Sequence, residues 1–133
     1  LTTYRCGTGH SVSFVGNVHE GPHALNGRNT TLMRPGMIVT DEPGVYETDL
    51  VGIRIENELV CVHKADNQYG TFLAFRPLTF VPIATSPVVP GILTKDEIEW
   101  LNAYHREVFT KLAPRLTEEE RDWLAKKCAA IGA

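Results

Sequence analysis

The sequence predicts an α+β protein in which antiparallel extended structure comes first and two helices come after it. Three observations predict it. Residues 52–62, "GIRIENELVCV", alternate with period two: Ile53, Ile55, Leu59 and Cys61 fall on one side, Arg54, Glu56 and Glu58 on the other. Runs of extended character flank that stretch at 37–42 and 71–84. Beyond "TSPVVPG" (85–91) the pattern becomes helical, and two capping-box signatures appear.

From the N-terminal side, "CGTGHSVSFVGNVHEGP", residues 6–22, places His10 and His19 among glycines at 7, 9, 16 and 21. With Val12, Phe14, Val15 and Val18 it reads as a turn leading into short extended structure. Gly7 and Gly9 permit close backbone approach or positive φ, which lets the imidazole at 10 point inward. Residues 22–36 read as a loop, with turn signals at Asn26-Gly27 and Pro35-Gly36. Met37 to Glu42 reads as a strand, broken by Pro43-Gly44, and Gly52 to Val62 as a second strand with Ile53, Ile55, Leu59 and Cys61 on its core side. Their connection is too long for a tight hairpin, and antiparallel pairing is expected. In "TFLAFRPLTFVPIA", residues 71–84, Pro77 and Pro82 predict an edge or irregular strand. Thr94 with Glu97 starts a helix whose apolar positions are Ile98, Leu101, Tyr104 or His105, Val108 and Leu112, and Pro114 ends it. Thr117 with Glu120 starts a second helix carrying Trp123, Leu124 and Cys128. The expected division is 1–87 and 88–133.

Composition narrows the class. The chain has 133 residues, 43% hydrophobic and 22% charged, which excludes disorder and collagen-like repeats. A net charge of −3 without a basic stripe gives no footprint for nucleic acid or a membrane surface. No apolar run is long enough to span a bilayer. The three cysteines, Cys6, Cys61 and Cys128, are odd in number and widely spaced, so reduced thiols of a cytoplasmic protein are expected. The chain opens without methionine and enters a glycine-rich turn at once, and so reads as a piece of something longer.

Four residues carry chemistry: His10, His19, Glu42 and Glu56. Glu42 ends a strand just before a rigid turn, and Glu56 sits between Ile55 and Asn57, near Arg54. A carboxylate in so apolar a setting needs a cation or several donors. A metal ion supplies one, and imidazole with carboxylate suits Mn²⁺, Zn²⁺, Fe²⁺ or Co²⁺. The plainer alternative pairs Glu56 with Arg54 or a lysine on a solvated face and leaves His10 as a loop histidine bonded to backbone. The spacing contains no helical HExxH, so the residues leave both open.

"GTGHSVSFVGNVHEGP", "MIVTDEPGVYE" and "GIRIENELV", in this order, closely resemble the C-terminal catalytic segment of aminopeptidase P, the X-prolyl aminopeptidase of the creatinase and methionine aminopeptidase superfamily. The tail from Leu93 to Cys128 resembles the C-terminal extension of its large cytosolic members, so the resemblance covers essentially the whole chain. It implies the C-terminal portion of a pita-bread fold, a curved antiparallel sheet, followed by the two helices. It implies two divalent ions, most often Mn²⁺, with Zn²⁺ or Co²⁺ as alternatives. His10, Glu42 and Glu56 match metal ligands of the family. Glu42 is also implied to help activate the attacking water, and His19 to contact substrate near the scissile carbonyl without ligating metal. Tyr46 and Arg54 match positions of the surrounding hydrogen-bond network, and the proline pocket is expected along the segment holding His19 and His23. Two aspartate ligands and a further histidine lie upstream in the family and have no counterpart here. Cys6 stands where many relatives have histidine.

The implied reaction is removal of the N-terminal residue from peptides with proline second, with these residues inactive alone and completed by the upstream part of the same protein. Alternatives are a pita-bread binding module that has lost its metal, and a sister reaction such as prolidase dipeptide cleavage or creatine hydrolysis. Retention of His10, Glu42 and Glu56 argues against the first, and the tail against the second. The helical tail offers either a homodimer contact or packing of Trp100, Leu101 and Trp123 on their own domain.

Overall fold

The structure is a computed structural model that describes residues 6–89 and 91–132, so Pro90 of the expected linker lies outside it. The chain divides into two compact units, Leu1–Thr79 and Phe80–Ala133.

The first unit is made of strands: β1 Gly9–His10, β2 Ala24–Leu25, β3 Ile38–Asp41, β4 Gly44–Glu47, β5 Val51–Arg54, β6 Asn57–Asn67 and β7 Gly70–Pro77. Every pairing is antiparallel, in the orders β1–β2, β3–β6–β7 and β4–β5. Val39 opposes Leu59 across β3 and β6, and Val39 and Cys61 are fully buried. An isolated bridge from Ser11 to Val39 brings the glycine-rich turn beside β3. β6 and β7 form a long hairpin whose return begins at Gly70, with φ 134°, a value that favours glycine.

The expected pairing of residues 37–42 with the next long strand is observed, with Ile38 opposite Val60 and Asp41 opposite Asn57. The single strand expected over 52–62 is instead two. β5 pairs with β4, β6 pairs with β3 and β7, and Ile55-Glu56 links them. The physical reason is a hairpin at 48–50. Leu50 N–H donates to Glu47 carbonyl (3.1 Å), and Asp49 takes φ 57°, a conformation aspartate tolerates better than most residues. The hairpin turns β5 onto β4, and the chain changes sheets after Arg54. The expected core side therefore fails at Ile53 in β5 and at Ile55 in the link, both half exposed, and holds in β6 at Cys61.

The run 71–84 is a strand only through Pro77. Leu78 N–H still donates to Glu58 carbonyl (2.7 Å), and the chain then leaves the sheet. Phe80 and Ile83 pack on the helical core, so packing divides the chain at 79/80, ahead of the 87/88 boundary set by composition.

The second unit holds α1 Lys95–Leu112, a 3₁₀ turn Ala113–Arg115 containing Pro114, and α2 Glu118–Lys127. Both capping boxes form as the sequence indicates, Thr94 with Glu97 and Thr117 with Glu120. Tyr104, Val108 and Leu124 are the core, surrounded by Phe80, Ile83, Phe109, Leu112, Leu116 and Cys128. Leu101 is buried, whereas Trp100 and Trp123 are more than half exposed. Cys6, Cys61 and Cys128 are free thiols.

His105 is completely buried in this unit. Its Nε2 accepts the Ile83 N–H at 3.1 Å, so the ring proton resides on Nδ1, which has no partner among the described residues. Beside it Tyr104 donates its hydroxyl to the Val81 carbonyl (2.9 Å), and the two bonds fasten residues 81–83 to α1. Burial holds the His105 imidazole below its ordinary range. The unfolded chain then binds this proton more readily than the folded one. The stabilisation is complete above the ordinary histidine pKa of about 6.5 and is lost as pH falls below it. Urea midpoints should fall from pH 7 to pH 5, and His105→Gln should shrink that fall. Leu124→Ala should cost about 2–5 kcal/mol of unfolding free energy in the same experiment at pH 7.

Candidate functional site

Glu42 comes directly after β3, and its N–H donates to the Thr8 carbonyl at 2.6 Å, which ties the strand end to the glycine turn. Its side chain is largely buried, with 17% exposure. Oε1 lies 3.0 Å from His10 Nε2 and accepts the Thr40 hydroxyl at 3.0 Å. Oε2 accepts from Arg54 Nη1 at 2.7 Å. Arg54 also donates to the Glu42 carbonyl, and its Nε–H donates to the Tyr46 hydroxyl at 2.8 Å.

Gly9 explains how His10 reaches Glu42. A Cβ at Gly9 would sit 1.8 Å from the Thr40 carbonyl oxygen, so only glycine lets the turn lie this close to β3. The His10 N–H then donates to Thr40 Oγ1 (3.0 Å). Thr40 thus joins the histidine backbone to the Glu42 carboxylate, accepting from one and donating to the other. At Gly7, by contrast, nothing lies within 4 Å of an added Cβ.

The His10 tautomer is set by its neighbours. Nδ1 lies 3.0 Å from the Ser11 carbonyl, which only accepts, so Nδ1 carries a proton. Nε2 faces Glu42 Oε1, and a lone pair there beside a carboxylate oxygen calls for a positive body between them, a proton or a metal ion. A histidine that donates Nδ1–H to a backbone carbonyl and offers Nε2 is in the state that metal ligation uses. The residues present fit a metal on this ground.

His19 comes back onto His10 through the bonds Ser13 N–H to Asn17 carbonyl (3.3 Å) and Glu20 N–H to Ser11 carbonyl (3.1 Å). The two rings lie 4.0 Å apart, tilted by 59°. One donor atom each of His10, His19 and Glu42 falls within 4.8 Å of the others. Glu56, on the link between β5 and β6, is exposed and outside that group. Of the expected residues the structure gathers His10, His19, Glu42, Arg54 and Tyr46. His23 is buried and donates Nε2–H to the Ile38 carbonyl (2.7 Å), where it holds β2 beside β3.

Thr40 is not marked by any sequence motif, although a signal exists: strand alternation puts positions 40 and 42 on one face. Gly44 and Gly52 also matter. Tyr46 opposes Gly52 across the hairpin, and an added Cβ would come within 2.8 Å of the ring from Gly44 and 2.9 Å from Gly52. The two glycines let the ring lie flat, so that its hydroxyl reaches Arg54.

Antiparallel strands thus present two imidazoles and an arginine-held carboxylate at one place, a donor set suited to a metal-dependent hydrolase. Comparison with known proteins makes this specific. Residues 1–63 match metallopeptidase family M24, and residues 71–131 match the C-terminal region of peptidase M24. Aminopeptidase P2 of Arabidopsis thaliana is 47% identical over 128 residues, covering 91% of this chain and 18% of that protein. An Xaa-Pro aminopeptidase of Caenorhabditis elegans is 40% identical over 137 residues, covering 94% of this chain and 22% of that protein. The crystal structure of X-prolyl aminopeptidase from Caenorhabditis elegans, described as a cytosolic enzyme with a di-nuclear active site, superposes with a TM-score of 0.83. It is 41% identical and covers 94% of this chain and 21% of that one. The chain belongs to metallopeptidase family M24. It spans about a fifth of the length of these relatives.

Gly9→Ala should cost about 1–3 kcal/mol or more, since backbone must move to admit the methyl. It should also separate His10 from Glu42, read as a change in the His10 ring resonances. Gly7→Ala, with open space around it, should leave both measurements unchanged.

Proposed function

We propose that this chain is part of a metal-dependent aminopeptidase that removes the N-terminal residue of peptides with proline in second position. The observation that carries the reading is the Glu42 carboxylate, held on both oxygens beside a histidine whose Nδ1–H is already committed to backbone. The relatives named for X-Pro cleavage supply the substrate class. A protein that only bound peptides would have no need of this donor arrangement.

In this reading His10, Glu42 and Glu56 hold metal together with two aspartates from outside these residues, and two divalent ions, most readily Mn²⁺, occupy the site. When bound, they supply acidity to water and polarise the scissile carbonyl. The chain's own residues do the rest. Glu42 takes the proton of the attacking water at a carboxylate oxygen and delivers it to the departing prolyl nitrogen. His19 donates to the oxyanion that develops on the carbonyl. Arg54 fixes the rotamer of Glu42, and Tyr46 fixes Arg54. A dedicated enzyme is needed because the X-Pro amide has no N–H to serve as a handle.

The partner of these residues is the upstream part of the same protein. Phe14, Val15, Leu50, Ile53 and Ile55 expose apolar side chains on the strand unit, which supports a covering segment. The reading places the enzyme in the cytoplasm. Among the described residues no helix is long and apolar enough to cross a membrane. In this reading the exposed Trp100 and Trp123 are where the tail would offer a homodimer contact.

The test is turnover of an X-Pro peptide with Mn²⁺ added. The 133 residues alone should give none. The longer protein should cleave, and Glu42→Gln should lower its kcat by about 10²–10⁴. No turnover by the longer protein, or full activity of the variant, would overturn the assignment, and turnover by the short chain would overturn its need for the upstream part.

A further inference from the structure

We propose that Thr40 is a positioning residue: its hydroxyl sets the spacing between the His10 imidazole and the Glu42 carboxylate, and with it the orientation in which Glu42, on the aminopeptidase reading this rests on, takes up and passes on a proton. Thr40 is no metal ligand in that reading and acts only through its two neighbours.

Three contacts of 3.0 Å close a ring: the His10 N–H donates to Thr40 Oγ1, the Thr40 hydroxyl donates to Glu42 Oε1, and Oε1 faces His10 Nε2. The direction of the bonds is fixed. A backbone N–H only donates, so it takes a lone pair of the hydroxyl oxygen and leaves the hydroxyl proton for Glu42. The ring ties the backbone and the imidazole of His10 to one carboxylate oxygen.

Thr40 is itself held in place. It is buried within β3, opposite Glu58 of β6, and its β-branch leaves χ1 little freedom. Its carbonyl meets the turn that carries His10 so closely that a Cβ at Gly9 would lie 1.8 Å from the oxygen. Arg54 acts differently. It reaches Oε2 from the end of β5 on a long side chain, which can follow the carboxylate if it turns. Thr40 is short and cannot follow, so Thr40 decides where Oε1 sits.

The experiment compares the longer protein with its Thr40→Val and Thr40→Ser variants. Valine keeps the shape of threonine without the hydroxyl; serine keeps the hydroxyl without the methyl. Metal-stripped samples are titrated with Mn²⁺ by calorimetry, and kcat and KM are measured on an X-Pro peptide at saturating Mn²⁺. Thr40→Val should weaken Mn²⁺ binding about 10–100-fold and lower kcat about tenfold or more, with KM unchanged. Thr40→Ser should restore both, which a role in packing alone would not allow, since serine is the smaller side chain. If Thr40→Val does not fold, Thr40→Ala set against Thr40→Ser makes the same comparison. Parental Mn²⁺ affinity in the valine variant would overturn the spacing role, and parental kcat the orienting of Glu42. Serine no better than valine would overturn both. A parent that binds Mn²⁺ and leaves X-Pro peptides intact would instead overturn the aminopeptidase reading, with the titration still deciding the spacing; a parent that binds no Mn²⁺ would overturn reading and proposal together.

Discussion

The Glu42 carboxylate is the point around which the strand unit is arranged. It is largely buried, and a charge in that position is tolerated only when its oxygens find positive or donating partners. Arg54 takes one oxygen, and Thr40 and His10 meet the other. Each partner arrives on a different element. Thr40 comes from β3 itself, His10 from the short strand β1, and Arg54 from the end of β5. Loss of one partner leaves a carboxylate uncompensated, so the local geometry of three elements is coupled through a single side chain.

That coupling explains the glycines in the neighbouring hairpin and turn. Gly9 lets β1 pass close to β3, which sets the distance from His10 to Glu42. Gly44 and Gly52 give the Tyr46 ring room to lie across β4 and β5, which sets where Arg54 can point. These are requirements of approach. None of the three takes a positive φ. By contrast, Gly36, Gly70 and Gly91 do, and they serve turns away from the site.

The helical unit meets its own needs locally. Each helix caps its own N-terminus, and Tyr104, Val108 and Leu124 make a small core with the segment just beyond β7. The strand unit does not. It buries Val39 and Cys61 yet leaves Phe14, Leu50 and Ile53 in water, and its carboxylate centre is open enough for two histidine rings to meet beside it.

Sequence alone determined the features that depend on nearest neighbours. Both capping boxes, the stop at Pro114, the antiparallel pairing of residues 37–42 with the next long strand, and the identities of His10 and Glu42 were legible, because a cap, a missing N–H or a motif acts over a few residues. The split of residues 52–62 was not legible, because alternation continues unchanged through a change of partner strand; only pairing with β4 on one side and β3 on the other shows it. Likewise Thr40 as a bridge, the fit of Tyr46 over two glycines, and the meeting of His19 with His10 were decided by tertiary structure. Each joins residues that local patterning does not relate, at distances of a few ångströms that only the folded chain sets.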